Sequence, residues 1–321
     1  MPLQRKFLFH VIVAASAALP VAIAQTPAPV GVAAGTTQIA SIPDFTGTWQ
    51  HPVFPWFEPP ASGPGPINNL SRWPQRVVEG GQAPTKEGVS DYDQLVGDYK
   101  NPILQPWAAE IVKKAGEMSL AGITTTNPSN QCQPMPMPFT FKNFVVVVLQ
   151  EKDMITLLYA NPQHDIRRIR LNASHPKKLT PSWYGDSIGH YEGDTLVVDT
   201  VGVKTNRPYA MQDLFGTPYT DKLHIVERYR LRDYEDVKDA IERNRRENWM
   251  FIGDVWSKHR GKFLQAQVTV EDEGAFTAPF TATLTYVPNP GPLEESICAE
   301  NTHEYYNGKD SDVPKADKPD F

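Results

Sequence analysis

Ser187-Ile188-Gly189-His190-Tyr191-Glu192-Gly193-Asp194-Thr195-Leu196-Val197-Val198-Asp199-Thr200 carries the clearest structural signal in the chain. Two strand-forming runs flank Glu192-Gly193-Asp194, a short link with glycine at its turn, and together they read as an antiparallel hairpin. Outward from this stretch the texture repeats. Phe144-Val145-Val146-Val147-Val148-Leu149 is turned by residues 150–153 and returned by Met154-Ile155-Thr156-Leu157-Leu158-Tyr159, a second hairpin. His164 to Leu171 alternates, and Leu223 to Leu231, Gln265 to Glu271 and Phe280 to Val287 continue the series, with Phe45 to Trp49 ahead of it. Successive strands joined by short turns predict a mostly β chain: an antiparallel meander closed into a barrel.

Between these runs lie segments that cannot be strand. The chain has 30 Pro and 21 Gly, too many breakers for a helical bundle. Residues 52–85 hold Pro-rich pieces such as Glu58-Pro59-Pro60-Ala61-Ser62-Gly63-Pro64-Gly65-Pro66, and 123–138 return to loop. Pro106 at a first-turn position predicts a short helix over Trp107 to Met118. Asp233 precedes a second helix, Tyr234 to about Glu247, with Val237 and Ile241 on one face and a small basic cluster at Arg243, Arg245 and Arg246. The expected organisation is a leader over 1–24, a spacer over 25–44, one barrel domain over 45–300 with a loop-rich insertion at 52–138, and a tail over 301–321.

The leader reading rests on Arg5 and Lys6, the apolar run Phe7 to Ile23, and the small-x-small site Ala22-Ile23-Ala24 before Gln25. It predicts an exported, periplasmic or secreted product without stable membrane insertion. The 321 residues carry 37 acidic and 31 basic side chains, net −6. Cleavage after Ala24 would leave 29 basic against 37 acidic, or −8. Such a balance argues against a nucleic-acid partner, which would need cationic side chains for phosphates. Export also changes the reading of the cysteines. There are two, Cys132 and Cys298, and in an oxidising compartment they most economically form one disulfide.

Two resemblances follow. Phe45-Thr46-Gly47-Thr48-Trp49 resembles the Gly-x-Trp opening strand of lipocalin-like (calycin) barrels, in which the tryptophan closes one barrel end. That family implies eight strands and a shorter chain, from which residues 52–135 and the helix at 234–247 depart. The stretch from Cys132 to Cys298 is similar to a large group of uncharacterised exported proteins of environmental bacteria. It carries the likeness in His164-Asp165-Ile166-Arg167-Arg168-Ile169, Ser187 to Thr200, Leu223-His224-Ile225-Val226-Glu227-Arg228-Tyr229, and Val270-Glu271-Asp272 with Phe276 and Pro279. This second resemblance implies no activity.

Alternation sorts side chains between faces. Leu223, Ile225, Glu227, Tyr229 and Leu231 share the more apolar face of their strand and are expected inside. Glu227 must then be paired or have a raised pKa, as a general acid would. If Ile169 and Leu171 point inward, so does Arg167, to pair with Glu227 or to hold an anionic ligand; in the opposite register His164 lines the cavity instead. Asp199 shares a face with Val197 and Val201 and would partner His164 or His224. Trp183 and Tyr184 precede the central hairpin and are expected to cover a barrel opening. Glu227, His164, His224, Arg167 and Asp199 are therefore the catalytic candidates, and Trp183, Tyr184, Tyr229 and Arg228 the ligand-binding ones.

No Gly-x-Ser-x-Gly elbow, P-loop, Gly-x-Gly-x-x-Gly or close His pairing is present, so the sequence signals neither a cofactor nor a metal. Polar residues on apolar strand faces point first to a barrel that binds a small, largely apolar ligand. The alternatives are a cofactor-independent acid–base enzyme of lyase, isomerase or hydratase type, and a cell-envelope interaction module whose Pro-rich arm at 52–85 stands exposed.

Overall fold

The computed structural model describes residues 42–291 apart from 53, 73–75, 78–83, 86–88, 144, 161–164 and 248–257. His164, Cys298, the leader, most of the spacer and the tail lie outside the described residues.

Nine strands close into one barrel: β1 Gly47–Gln50, β2 Val145–Gln150, β3 Met154–Tyr159, β4 Ile166–Leu171, β5 Asp186–Glu192, β6 Thr195–Val201, β7 His224–Arg232, β8 Phe263–Glu271 and β9 Phe280–Pro288. Each strand pairs with the next in sequence, and β9 returns to β1. The expected meander is therefore present, with one strand more than the lipocalin pattern implies. Nine is odd, and a closed ring of strictly alternating strands needs an even number. The mismatch falls between β4 and β5, which run parallel with Ile169 to Leu171 opposite Ser187 to Gly189. Every other pairing is antiparallel. A parallel pair cannot be closed by a tight turn, and residues 172–185 supply the long return that one requires.

Alternation sets the core. Along β4 the exposure runs outward, inward, outward, so that Arg167, Ile169 and Leu171 are buried; along β7 it is Ile225, Glu227 and Tyr229. These side chains join Trp49, Val198, Leu264, Ala266, Leu284 and Tyr286 in one continuous interior. Gly47 opens β1 at φ 142°, a region closed to residues with a Cβ, which is a physical reason for the glycine of the Gly-x-Trp motif. Trp49, two residues on, is buried and donates from Nε1 to the carbonyl of Phe45 at 2.9 Å.

Helix α1 spans Pro106–Leu120, with proline in its first turn as expected. Its approach is pinned to the loop before β9: Gln105 N–H donates to the Ala275 carbonyl at 2.9 Å, and Trp107 Nε1 to that of Gly274 at 2.8 Å. Helix α2 spans Tyr234–Glu247 and packs Val237 and Ile241 against Phe263 and Val287 on the outside of the barrel. Arg243 of the basic cluster is ion-paired with Glu58 at 3.3 Å.

The expectation of an exposed Pro-rich arm holds at Pro59 and over residues 61–64, which are exposed, and is corrected on either side of them. Phe54, Trp56 and Ile67 are buried in the main core, Glu58 N–H donates to the Thr283 carbonyl at 2.8 Å, and Thr281 N–H to that of Pro64 at 3.2 Å. Proline bars this segment from a central strand but not from lying against an edge, and its aromatic side chains gain more from burial than from water.

Candidate functional site

The sequence candidates separate into two groups. Inside the barrel, Arg167 donates from Nη1 to Glu227 Oε2 at 2.8 Å and from Nη2 to Oε1 at 2.6 Å. The same guanidinium reaches Ser187 Oγ at 3.1 and 3.0 Å and Thr200 Oγ1 at 2.7 Å, while the Tyr229 hydroxyl donates to Glu227 Oε2 at 2.6 Å. One arginine thus stitches β4 to β5, β6 and β7 across the parallel seam. Burial disfavours its charge, but the Glu227 carboxylate outweighs this and holds the guanidinium above its ordinary range.

Arg167 is 1 % exposed and Glu227 fully enclosed, so the pair is closed. The expectation that Glu227 lines a greasy hollow gives way to a carboxylate with both oxygens engaged. Tyr159 lies beside the pair, and burial pushes its hydroxyl up to about 12. Ser187 and Thr200 are not among the sequence candidates. Alternation offers a signal for both, because each shares an inward face with a small or apolar neighbour, Gly189 and Val198.

The second group lies on the outer wall. Asp199 of β6 accepts from His224 Nε2 at 3.0 Å, one of the two partners considered for it, and from His175 Nε2 at 2.9 Å. His175 Nδ1 meets Asp186 at 2.6 Å, Asp186 takes Arg170 at 2.7 and 2.8 Å, and His224 Nδ1 meets Glu271 at 3.2 Å. The result is a hydrogen-bonded chain, Arg170–Asp186–His175–Asp199–His224–Glu271, laid across β4 to β8. Partial burial works against the charge on His224, but hydrogen bonds to Asp199 and Glu271 outweigh it and raise its pKa. Burial likewise pushes Asp199 up, yet the bonds from His224 and His175 win and bring it down. His175 sits in the return loop, where no periodicity could mark it.

His224 and Glu271 open onto a cleft of about 340 Å³. Lys222, His224, Glu271 and Glu273 bring charge to its lining, and Phe276, Ala278 and Pro279 apolar surface. Asp272, also in the lining, is held in place: its carboxylate accepts from the hydroxyl of Thr220 at 2.6 Å and from the backbone of Gly274 at 3.0 Å and Ala275 at 3.3 Å.

The remaining candidates are elsewhere. Arg228 lies on the outer face, bonded to Glu192. Trp183 stacks at a tilt on Tyr209, 6.3 Å away, with Lys204 above its ring. The Tyr184 hydroxyl donates to buried Asp165, and burial with that neighbouring charge raises its pKa. Neither aromatic lines the cleft. Among the described residues no group of three or more acidic, Cys or His side chains is arranged to hold a metal ion.

No protein-family model, curated protein or solved structure matches the chain. Function therefore rests on the geometry.

Proposed function

We propose that the protein is an exported, lipocalin-like barrel that binds a small organic molecule in the cleft beside His224, outside the lumen. The observation that carries this is the size and make-up of the cleft: about 340 Å³, lined by both apolar and charged side chains, with Asp272 fixed by its hydrogen bonds. Ligand sites have this volume and this division of labour, with apolar surface for affinity and a few fixed polar groups for orientation. The matching ligand has an apolar body and a polar edge. Export behind the leader and kinship through Gly47-Thr48-Trp49 belong to the same proposal, as does a disulfide between Cys132 and Cys298.

A ligand-observed NMR and thermal-shift screen over aromatic, terpenoid and fatty molecules tests it. At least one class should raise Tm in the wild type and lose that effect in Pro279→Asp, which places a charge amid the apolar lining. Stabilisation that survives Pro279→Asp, or none from any class, overturns the proposal.

A second reading is favoured by the Asp199–His224 contact. His224, whose hold on its proton Asp199 and Glu271 strengthen, is placed to act as a general acid toward a molecule in the cleft, with Asp199 holding the ring. Under this reading a bound compound is chemically altered by the wild type and recovered unchanged from His224→Gln, whereas simple binding leaves it unaltered by both.

A further inference from the structure

The charge balance of the cleft beside His224 bears on the polar edge of its ligand. Three consecutive carboxylates, Glu271, Asp272 and Glu273, line it against two basic side chains, Lys222 and His224. Both basic groups are already engaged. Lys222 Nζ donates to Glu273 Oε1 at 2.5 Å, and the His224 ring bridges Asp199 at 3.0 Å and Glu271 at 3.2 Å. Glu273 first, then Asp221 and Asp272, hold the Lys222 ammonium above its ordinary range. Partial burial opposes the charge on His224, yet Asp199 and Glu271 raise it as well. At both positions the local field favours positive charge.

An anion entering the cleft would meet these carboxylates and find no free cation among the described lining residues. An ammonium group would meet the reverse. The three carboxylates differ in how far they are committed. Asp272 is buried and accepts from the backbone N–H and hydroxyl of Thr220 and from the backbone of Gly274 and Ala275. Glu273 is paired with Lys222. Glu271, at the end of β8 and opposite His224 in the register, is half exposed and bonded through Oε2 alone. It is the carboxylate that an incoming donor can share without breaking the hydrogen bonds of the loop.

We propose that the cleft takes a small organic cation, an amine on a hydrocarbon body, with its ammonium group paired to Glu271 and its body against the apolar side chains of the lining. This rests on the reading of the cleft as a ligand site and adds the sign of the ligand's charge. Apolar contact supplies affinity, and the carboxylates reject the acid of the same shape.

Phenethylamine, phenethyl alcohol and phenylacetate share an aromatic body and differ in charge, and methylamine carries the ammonium without the body. With the full-length protein at low ionic strength, phenethylamine should bind about fivefold more tightly than phenethyl alcohol, the upper range for an exposed ion pair, and phenylacetate more weakly than either. Phenethylamine should shift the His224 ring resonances, and methylamine should bind far more weakly. Glu271→Gln should remove the amine's advantage over the alcohol. Lys222→Gln, which leaves Glu273 without its cation, should enlarge it. The proposal is overturned by an alcohol or carboxylate bound as tightly as the amine, by a preference that survives Glu271→Gln, by a His224 ring unmoved at saturation, or by methylamine binding as well as phenethylamine. Phenethyl alcohol that matches the amine and is lost in Pro279→Asp would leave the cleft a ligand site and sink only its preference for charge. Binding of none of the four also overturns the proposal, and the wider screen then decides the cleft.

Discussion

Arg167 and Glu227, 60 residues apart in the chain, meet inside the barrel through two parallel hydrogen bonds of 2.8 and 2.6 Å. The arginine comes from the strand just before the parallel seam and the glutamate from the third strand after it, with Ser187 and Thr200 between them accepting from the same guanidinium. Only three register pairs join β4 to β5, so the side-chain network supplements a short backbone ladder.

Breaking this pair from one side should be costly. Glu227→Gln leaves the guanidinium buried without its counter-charge, and a loss of about 3–5 kcal/mol in urea unfolding is expected. The double variant Arg167→Met, Glu227→Leu removes both charges and should recover most of that loss. A Glu227→Gln protein as stable as the wild type would show that the pair is not what closes the seam.

The outer chain should reveal itself by titration. His224 is raised above its unfolded value, so its contribution to stability is fully present below about pH 6.5 and fades as pH rises through the higher folded pKa. Asp199 is lowered, so its contribution holds above about pH 3.8 and fades as pH falls through the folded value. Histidine NMR should place His224 above the free imidazole, and Asp199→Asn should bring it down. A His224 that titrates at or below the free value in the wild type contradicts the chain.

Helix α2 is tied to the barrel by Val237 and Ile241 against Phe263 and Val287. Ile241→Ala should cost about 2–5 kcal/mol, as for other buried isoleucines. A change below about 0.5 kcal/mol in chemical denaturation, the size expected of surface substitutions, would mean that the helix is not docked.

Peptide mapping without reductant should recover Cys132 and Cys298 in one linked pair from the exported protein, with a mature N-terminus at Gln25. Two alkylatable thiols in the purified exported form would refute the disulfide.

Much of the site is legible in the order of the residues, and the limits have a physical origin. Alternation puts Glu227 on an inward face, because the side chains of a strand change sides at every residue whatever the strand pairs with, but it leaves open whether Arg167 or His164 points inward and whether Asp199 meets His164 or His224. It cannot show that Arg167 exhausts both carboxylate oxygens of Glu227, since that depends on the distance between two strands that are not neighbours. His175 escapes it because loop residues carry no periodicity.

Local stereochemistry and hydrophobic spacing are enough to specify the hairpins, the succession of strands, the two helices and the inward face of most strands. They leave open the ring of nine and its parallel seam, the closed Arg167–Glu227 pair, the seating of the Pro-rich segment against β9, and the cleft beside His224. Those arise in three dimensions, from how surfaces far apart in the chain meet, and no short-range pattern encodes the volume left between them.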